Sequence, residues 1–283
     1  MKHLLLLLVL SLVPISAHSN KDNDHELVFG LYSSEKPSWL IKKYTPIIEL
    51  LERRLREDTG VDYTIEIKIT KTYSEALEAF VKGDFDLVRF GPVSYVQAKQ
   101  KNPDISIAAV ELTRDVKEYY GIIIVNENST IKDIADIEGK SFAFGDEASS
   151  VGRYLSQQFL RKNGISGSDL SDITYLGRYD LVGNSIGNEE YEVGAITEAV
   201  FKSLIERGVE IKELTRFPSI ARPWIFGAYV NPEVKNSIQM SLLEVKDHKS
   251  LSLLNINGFA KGNEDEYTQI KSAIENIYLF EDD

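Results

Sequence analysis

The chain has 283 residues, of which 43% are hydrophobic, and its 44 acidic residues outnumber its 32 basic ones to give a formal net charge of −12. This length is more than one hydrophobic core usually organises, and the composition excludes an intrinsically disordered protein. The acidic balance and the lack of a block rich in Lys and Arg exclude nucleic acid as a partner, and local donors have to hold any anionic ligand.

The N-terminus has the pattern of a secretory signal peptide. A basic start precedes an apolar run over residues 4–13, and the small residues that follow end at Ala17. Such a pattern is removed on export, so we expect cleavage after Ala17 and a flexible tail over residues 18–26. The chain contains no cysteine, which excludes disulfides and a lipid on an N-terminal cysteine. We therefore expect a soluble protein of the bacterial periplasm.

Strand and helix patterns alternate through the first half of the mature chain. A buried strand ends near Gly30, and a long helix follows, because apolar residues recur there at spacings of three and four. In chain order, we predict a strand at 27–30, a helix at 38–57, a strand at 63–70, a helix at 73–82, a strand at 85–90 and a helix at 93–100. Gly83 stops the second helix, and Gly91 with Pro92 ends the third strand.

The second half continues the alternation, with weaker signals near its end. The predicted order is a strand at 119–125, then helix, strand, turn and helix within 130–164, a strand at 173–177, a helix at 180–187, and a strand and a helix within 191–208. Residues 216–224 are predicted as a loop, residues 225–231 as a strand, and two helices complete the chain. Alternating strands and helices predict an α/β protein with mostly parallel sheets.

A weak internal repeat indicates two similar lobes, although chance similarity between α/β units explains it equally well. FGLYSS after the first strand is similar to FGDEASS after a later one, and GDFDLVRFGPVSYVQ is similar to NEEYEVGAITEAVFK. Ligands of open α/β sheets lie beyond the carboxyl ends of the strands. Two facing lobes would place the serines of FGLYSS opposite Ser149 and Ser150, with Tyr32 and Gly91 on the same side of the cleft.

The turn FGDEASSVGRYL, residues 144–155, has two interpretations. Paired serines before a helix can cap its first N–H groups, or they can bind an anion together with those groups and the positive end of the helix dipole. We also expect Gly152 to let an oxyanion approach the backbone closely. Taken alone, Ser149 and Ser150 favour capping, and the two roles are compatible.

Catalytic signatures are absent from the sequence. His248 is the only histidine within the predicted fold, and no Ser-His-Asp triad, nucleophile elbow, phosphate-binding glycine loop or cysteine-histidine metal set can be assembled. We expect neither a cofactor nor a metal. Asp84 and Asp86 leave a hydrolase open as an alternative, but acidic residues beside turns are usually solvated. The sequence therefore favours stoichiometric binding over catalysis.

The sequence resembles the phosphate-, phosphite- and phosphonate-type substrate-binding proteins of ABC importers. The resemblance covers nearly the whole chain from about Leu27, and its motifs are YSEALEAFVKGDFDLVRFGPVSYVQA, YYGIIIV and DIEGKSFAFGDEASSVGRYL. It implies a two-lobed type II periplasmic-binding-protein fold, in which each lobe is a mostly parallel sheet flanked by helices and two crossover strands join the lobes. Residues 27–117 and 223–283 would form the first lobe, and residues 118–222 the second.

The resemblance also implies site residues. In that family a D-P-x-S-T-S-G turn binds the tetrahedral oxyanion, and the matching turn here reads DEASSVG. Ser149 and Ser150 match two of the hydroxyls, whereas Val151 replaces the third. Tyr179 takes the place of a histidine, and Arg222 that of an acidic residue that holds a ligand ammonium in some members. Tyr73 and Tyr119 match ligand-facing tyrosines of the family, whereas Tyr32 and Gly91 are candidate contacts from topology alone.

The function that the resemblance implies is capture of a small oxyanion in an interlobe cleft. A monomeric binding protein would deliver it to an ABC permease in the inner membrane. Arg89 and Arg222 favour a strongly anionic ligand over an aminoalkylphosphonate, because their planar donors pair with phosphate or carboxylate oxygens. Two alternatives stay open: a ligand-sensing partner of a membrane receptor, and a binder of a sulfonate or carboxylate.

Overall fold

The structure is a computed structural model that describes residues 25–281. The predicted signal peptide and the tail as far as residue 24 lie outside the described residues. Within residues 25–281, no helix combines the length and the apolar character that crossing a membrane requires.

Two β-sheets organise the described chain. The strands of the first sheet are β1 (Glu26–Tyr32), β2 (Thr64–Thr70), β3 (Leu87–Arg89), β4 (Ser106–Leu112), β10 (Pro223–Phe226) and β11 (Gly258–Ala260). The strands of the second sheet are β5 (Glu118–Asn126), β6 (Ser141–Phe144), β7 (Asp172–Tyr175), β8 (Val193–Thr197) and β9 (Ile211–Ile220). The strand order is β11-β4-β10-β3-β1-β2 in the first sheet and β7-β6-β8-β5-β9 in the second.

Helices cover both sheets, and we call each sheet with its helices a lobe. The helices that pack on the first sheet or on each other beside it are α1 (Pro37–Thr59), α2 (Tyr73–Lys82), α3 (Pro92–Lys101), α7 (Pro232–Glu244), α8 (His248–Leu254) and α9 (Thr268–Glu275). The second lobe contains α4 (Leu155–Lys162), α5 (Tyr179–Gly187) and α6 (Glu198–Glu206), and α10 (Tyr278–Glu281) follows at the C-terminal end. Short helical turns occur at Ile134–Ile137, Ser150–Tyr154, Gly167–Asp169 and Glu264–Tyr267.

Local sequence signals explain where the helices begin and end. Helix α2 starts at a capping box, in which the Thr72 hydroxyl accepts the Glu75 N–H and the Glu75 carboxylate accepts the Thr72 N–H. It ends at Gly83, whose φ of 91° is the left-handed conformation that glycine adopts without strain. Helix α1 has Pro37 in its first turn and ends at Gly60 in the same left-handed conformation.

The core has two parts because side chains of β1 alternate between the two faces of the first sheet. Phe29 and Leu31 pack with α1, α7 and α8 on one face. Val28 and Tyr32 belong to the other face, which continues through α2 and α3 into the core of the second lobe. The two lobes are therefore in direct apolar contact.

Both sheets are mixed, so the prediction of mostly parallel sheets is wrong. Strand β1 is parallel to β2 and β3, whereas β10 is antiparallel to β3 and β4, and β5 is antiparallel to β8 and β9. The chain leaves the first sheet at the end of β4 and re-enters it at the same end through β10, so these two strands run in opposite directions. The same argument applies to β5, which enters the second sheet, and β9, which leaves it.

Several predicted segments differ from the structure. Instead of the two helices predicted to complete the chain, α7, α8, β11, α9 and α10 follow residue 231. Residues 216–224 are not a loop, since β9 and β10 occupy most of them. Pro218 is tolerated because β9 is an edge strand, and Pro223 because it is the first residue of its strand. The predicted strand at 225–231 ends at Phe226, and the first helix predicted within 130–164 is a single turn of 3₁₀-helix.

The chain passes between the lobes at two adjacent places, and a third time between α9 and α10. Residues 113–117 lead from β4 to β5, and residues 221–222 lead from β9 to β10. The Ala221 N–H donates to the Lys117 carbonyl at 2.9 Å, which ties the two passages together. The lobe boundaries that the sequence places at 118 and 222 stay a prediction.

The C-terminal helix lies on the second lobe, although the sequence analysis placed the whole of residues 223–283 in the first. Helix α10 contacts α4, and the Phe280 ring meets the Phe144 ring edge-on with centroids 6.0 Å apart. The Arg161 side chain also donates to the carbonyl of Leu279. Phe280 is fully buried, so apolar burial in the second lobe holds this helix there.

Candidate functional site

A cavity lies between the two lobes, and all eight residues that the sequence analysis named line it. They are Tyr32, Tyr73, Gly91, Tyr119, Ser149, Ser150, Tyr179 and Arg222. The volume of the cavity is about 40 Å³.

The fold explains why residues so far apart in the sequence meet here. Tyr32 ends β1, Gly91 follows β3, and Ser149 follows β6 in the other sheet. Each of these residues stands at the carboxyl end of a strand, which is where ligands of open α/β sheets bind. The repeat that the sequence analysis noted therefore corresponds to two strand ends that face each other across the cavity.

Ser149 forms its hydrogen bonds within the second lobe. Its Oγ accepts the N–H of Gly152 at 3.0 Å and lies 2.6 Å from the hydroxyl oxygen of Tyr179. The capping that the sequence predicts is thus present, on a turn of π-helix at Ser150–Tyr154, and the same hydroxyl lines the cavity. Ser149 thus accepts three N–H groups at the start of this turn, that of Gly152 through its hydroxyl and those of Arg153 and Tyr154 through its carbonyl.

Gly152 has a different role from the one predicted. A Cβ at this position would lie 2.9 Å from the Cα of Gly145, so the glycine is needed because two turns pack closely together. The Gly145 N–H also donates to the Gly152 carbonyl at 2.9 Å. The absence of a side chain at Gly152 therefore supports the geometry of the serine turn and does not open a path for an oxyanion.

Ser150 forms its hydrogen bond across the cavity. Its Oγ accepts the N–H of Val93, at 2.9 Å, in the first turn of α3 in the first lobe. The N-cap residue of α3 is Gly91, which has no side chain, so Ser150 supplies the cap from the opposite lobe. A Cβ on Gly91 would lie 2.7 Å from this Oγ, and the glycine therefore permits the approach.

Tyrosine hydroxyls form most of the remaining polar wall. The hydroxyl oxygen of Tyr32 accepts the Gly91 N–H at 2.8 Å, and the ring of Tyr32 stacks on that of Tyr73 with centroids 3.5 Å apart. Burial raises the pKa of Tyr32, Tyr73 and Tyr179 well above the usual value. These hydroxyls therefore keep their protons at neutral pH and can donate them to a ligand.

Two arginines and a buried carboxylate form a network beside the cavity. Arg89 donates through Nε and Nη2 to the two carboxylate oxygens of Glu111, at 2.9 Å each, and Trp224 Nε1–H donates to the same group at 3.1 Å. Arg222 Nη1 lies 3.7 Å from Glu111, and its guanidinium lies 3.5 Å from the ring centre of Tyr119. Burial alone would raise the pKa of Glu111, but the two arginines and the Trp224 hydrogen bond outweigh it and hold this pKa below its usual range.

The sequence analysis missed several residues that line the cavity. They are Glu35, Leu40, Lys43, Tyr44, Thr197, Ala199, Val200 and Leu254. Ser34, which was predicted to face the cleft, and Arg89, which was considered, also line the cavity, although neither was selected. Glu35 and Lys43 form a buried ion pair with 2.7 Å between Oε1 and Nζ. Their position after the first strand was a usable signal, because that strand end was already predicted to face the cleft.

Comparison with known proteins identifies the family. Residues 29–267 match the family model described as the periplasmic substrate-binding protein of the ABC phosphonate transporter. The chain belongs to this family. The two-lobed fold and the cavity at the strand ends are thus those of a periplasmic substrate-binding protein that works with an inner-membrane permease.

Individual relatives agree with this assignment. The chain is 25% identical over 277 residues to the probable ABC transporter phosphite binding protein PhnD1 of Prochlorococcus marinus, covering 88% of this chain and 89% of that protein. It is 26% identical over 249 residues to the phosphate-import protein PhnD of Mycolicibacterium smegmatis, covering 81% and 74%. The structure of P. marinus PhnD1 in complex with methylphosphonate matches with a TM-score of 0.80 at 20% identity, over 90% of this chain and 99% of that one. The structural match shows a shared type II periplasmic-binding-protein fold.

Proposed function

We propose that this protein captures a small tetrahedral oxyanion of the phosphonate, phosphite or phosphate class in the interlobe cavity and delivers it to an ABC importer. The observation that carries the proposal is the donor character of the cavity. The hydroxyl oxygens of Tyr32, Ser149 and Ser150 each already accept a backbone N–H. Ser149 and Tyr179 share one of their two hydroxyl protons between them. The protons that remain to pair with oxygens of a ligand are those of Tyr32 and Ser150 and one from the Ser149–Tyr179 pair.

Closure of the two lobes around the ligand is the second part of the proposal. Besides the bond between Val93 and Ser150, the Tyr179 N–H of the second lobe donates to the Ser34 carbonyl of the first at 3.0 Å. An oxyanion that contacts both walls adds hydrogen bonds only when the lobes are together. Its differential affinity then stabilises the closed arrangement, and the permease recognises that arrangement.

The proposed function also includes cleavage of the signal peptide and release of an unchanged ligand. The mature protein begins after Ala17 and acts in the periplasm without a lipid anchor. The cavity walls present hydroxyls, guanidinium groups and paired carboxylates, which suit reversible binding. The ligand therefore leaves the protein chemically unchanged.

A thermal-shift panel on residues 18–283 tests the proposed function. The panel contains phosphate, phosphite, methylphosphonate, sulfate and small carboxylates. A ligand at about a hundredfold its Kd stabilises the fold by about 2.7 kcal/mol, which raises the unfolding midpoint by about 5–10 °C. We expect this shift with at least one of the three phosphorus compounds, and we expect the same compound to be recovered unchanged after incubation.

Substitutions in the cavity test whether the ligand that raises the unfolding midpoint binds there. The double substitution Ser149→Ala/Ser150→Ala should abolish it, because both hydroxyls line the cavity. The control is Ser252→Ala, on the exposed side of α8. A shift that survives the double substitution contradicts the proposed site, a shift with sulfate or a carboxylate alone contradicts the ligand class, and turnover of the ligand contradicts binding without catalysis.

A further inference from the structure

The carboxylates next to the cavity are already engaged by cations of the protein. Glu35 lines the cavity and accepts from Lys43, and both side chains are about nine-tenths buried. Glu111 lies behind the wall and accepts from Arg89 and from Trp224. Glu35 is the one carboxylate among the described residues that line the cavity, so a positively charged group on a ligand would have to compete with Lys43 for it.

The ionised side chains that line the cavity, together with the Glu111 carboxylate that pairs with two of them, leave one positive charge in excess. Lys43, Arg89 and Arg222 are the cations that line it, and Glu35 with Glu111 compensates two of them. Arg89 and Lys43 each have a carboxylate at hydrogen-bonding distance, so the excess charge belongs to Arg222. Burial strengthens its effect, because charges in a low-dielectric cavity are weakly screened.

The guanidinium N–H donors of Arg222 are available to a ligand. Its side chain is 11% exposed, it stacks on Tyr119, and its nearest carboxylate is 3.7 Å away. Among residues 25–281, no hydrogen bond of 3.5 Å or less joins its guanidinium to another group. A buried guanidinium with unused N–H groups beside a cavity matches an oxyanion and repels a cation.

We infer that Arg222 makes the cavity selective for oxyanions that carry no ammonium group. The inference rests on the proposed function and narrows its ligand class to phosphite, phosphate and short alkylphosphonates. A ligand ammonium would meet a guanidinium that shares its nearest carboxylate with Arg89, and hydroxyls whose oxygens already accept one N–H each. A ligand of the same shape without the ammonium avoids both penalties.

A matched pair of ligands tests the inference on the mature protein. Ethylphosphonate and aminomethylphosphonate have the same number of non-hydrogen atoms in their chains and differ in the ammonium group. Both are measured by calorimetric competition against methylphosphonate, or against phosphite where that binds more tightly. We expect aminomethylphosphonate to bind at least about 30-fold more weakly than ethylphosphonate, since two like charges at close range in the cavity repel strongly.

Substitution of the arginine assigns the discrimination to that residue. Arg222→Gln should reduce the difference within the pair to about threefold and also weaken methylphosphonate binding. The control is Arg216→Gln, since Arg216 is 44% exposed and lies outside the cavity, and it should keep the discrimination of the wild type. Circular dichroism and the unfolding midpoint check that both variants fold.

The outcomes separate the inference from the function on which it rests. Equal or tighter binding of aminomethylphosphonate to the wild type overturns the inference and leaves the proposed function intact. If ethylphosphonate and aminomethylphosphonate are both too large to displace the reference ligand from the wild type, their binding is measured on Arg222→Gln. Recovery of aminomethylphosphonate binding there supports the inference, and continued absence overturns it. Failure of phosphate, phosphite and methylphosphonate to bind the wild type removes the proposed function and the inference together.

Discussion

Two adjacent serines have different tasks in this protein. Ser149 bonds to Gly152 and Tyr179 within its own lobe, so it shapes one wall of the cavity. Ser150 accepts the Val93 N–H of the other lobe, so its bond exists only when the lobes are together. A helix start that needs a cap would require one hydroxyl, and the second hydroxyl is explained by contact between the lobes.

Single substitutions at the two serines should therefore have different effects on closure. Ser150→Ala leaves the buried Val93 N–H without its acceptor, which costs about 1–3 kcal/mol of the closed arrangement. We expect a larger radius of gyration by small-angle scattering and a ligand affinity at least about 10-fold weaker. Ser149→Ala should weaken binding without changing the radius of gyration of the free protein. Equal expansion in both variants would contradict this division.

The buried carboxylate Glu111 predicts a pH dependence of stability. Its pKa is lower in the folded protein than in the unfolded chain, so its stabilising effect is complete above the unfolded value of about 4.3 and is lost as the pH falls further. Glu111→Gln leaves Arg89 buried without its partner, which should lower the free energy of unfolding by about 3–5 kcal/mol at pH 7. Urea unfolding between pH 7 and pH 3 measures the free energy of unfolding of the wild type and of Glu111→Gln. The difference between the two free energies should shrink toward low pH, and a constant difference would contradict the lowered pKa of Glu111.

Local signals predicted the elements of this fold better than their arrangement. Gly83 correctly predicted the end of α2, and the serines of the DEASSVG turn correctly predicted a cap for the helical turn that follows them. Both signals are local, because each residue acts on the backbone next to it. Strand direction in the sheets depends on where the chain crosses between lobes, and no local pattern encodes that. Pro218 led to the prediction of a loop where β9 ends. A proline is acceptable in an edge strand, but the sequence does not show that β9 lies at the edge of its sheet.

The sequence likewise predicted some parts of the candidate site and not others. Residues at the ends of strands, such as Tyr32 and Ser150, could be named from topology and resemblance. The pairing of Glu35 with Lys43 and of Arg89 with Glu111 could not, since each pair joins side chains that only the packed fold brings together. The role of Gly152 was misjudged for this reason too: its constraint is another glycine in a neighbouring turn.

The packing of the serine turn can be tested through that glycine. In Gly152→Ala the new Cβ would lie 2.9 Å from the Gly145 Cα, so the turns must separate. We expect a loss of about 1–3 kcal/mol in the free energy of unfolding, as for other overpacked sites, and weaker methylphosphonate binding. Gly258→Ala is the matched control, because no atom lies within 4 Å of a Cβ at that position. Equal stability of the two variants in urea would show that the turns can adjust freely.

At the scale of the whole molecule, the two passages between the lobes lie together on one side, and the cavity lies where the strand ends face each other. In the proposed function, closure is a relative movement of the two cores about residues 113–117 and 221–222. Phe280 adds a further link, because the C-terminal segment packs against α3 through α9 and against the second lobe through α10. In the proposed function, ligand affinity and lobe contact are therefore coupled through the hydrogen bonds that join the lobes at the cavity.

The overall charge predicts how salt changes the rate of ligand capture. The chain carries a formal net charge of −12, so its long-range field repels an anion before the local donors can act. The screening length falls from about 30 Å at 0.01 M salt to about 8 Å at 0.15 M, which removes most of this repulsion and leaves buried contacts largely unscreened. We expect the association rate constant for methylphosphonate to rise by about threefold over this range.

Fluorescence of a buried tryptophan can report this rate. The chain has two tryptophans, and Trp224 is buried beside Glu111, next to the cavity. In a Trp39→Phe background, stopped-flow emission of Trp224 follows binding at each salt concentration, with potassium fluoride and sodium chloride compared so that a specific ion effect is recognised. A rate constant that falls with salt would mean that the cations around the cavity steer the ligand more strongly than the acidic surface repels it. The excess positive charge assigned to Arg222 would then act at long range as well as on contact.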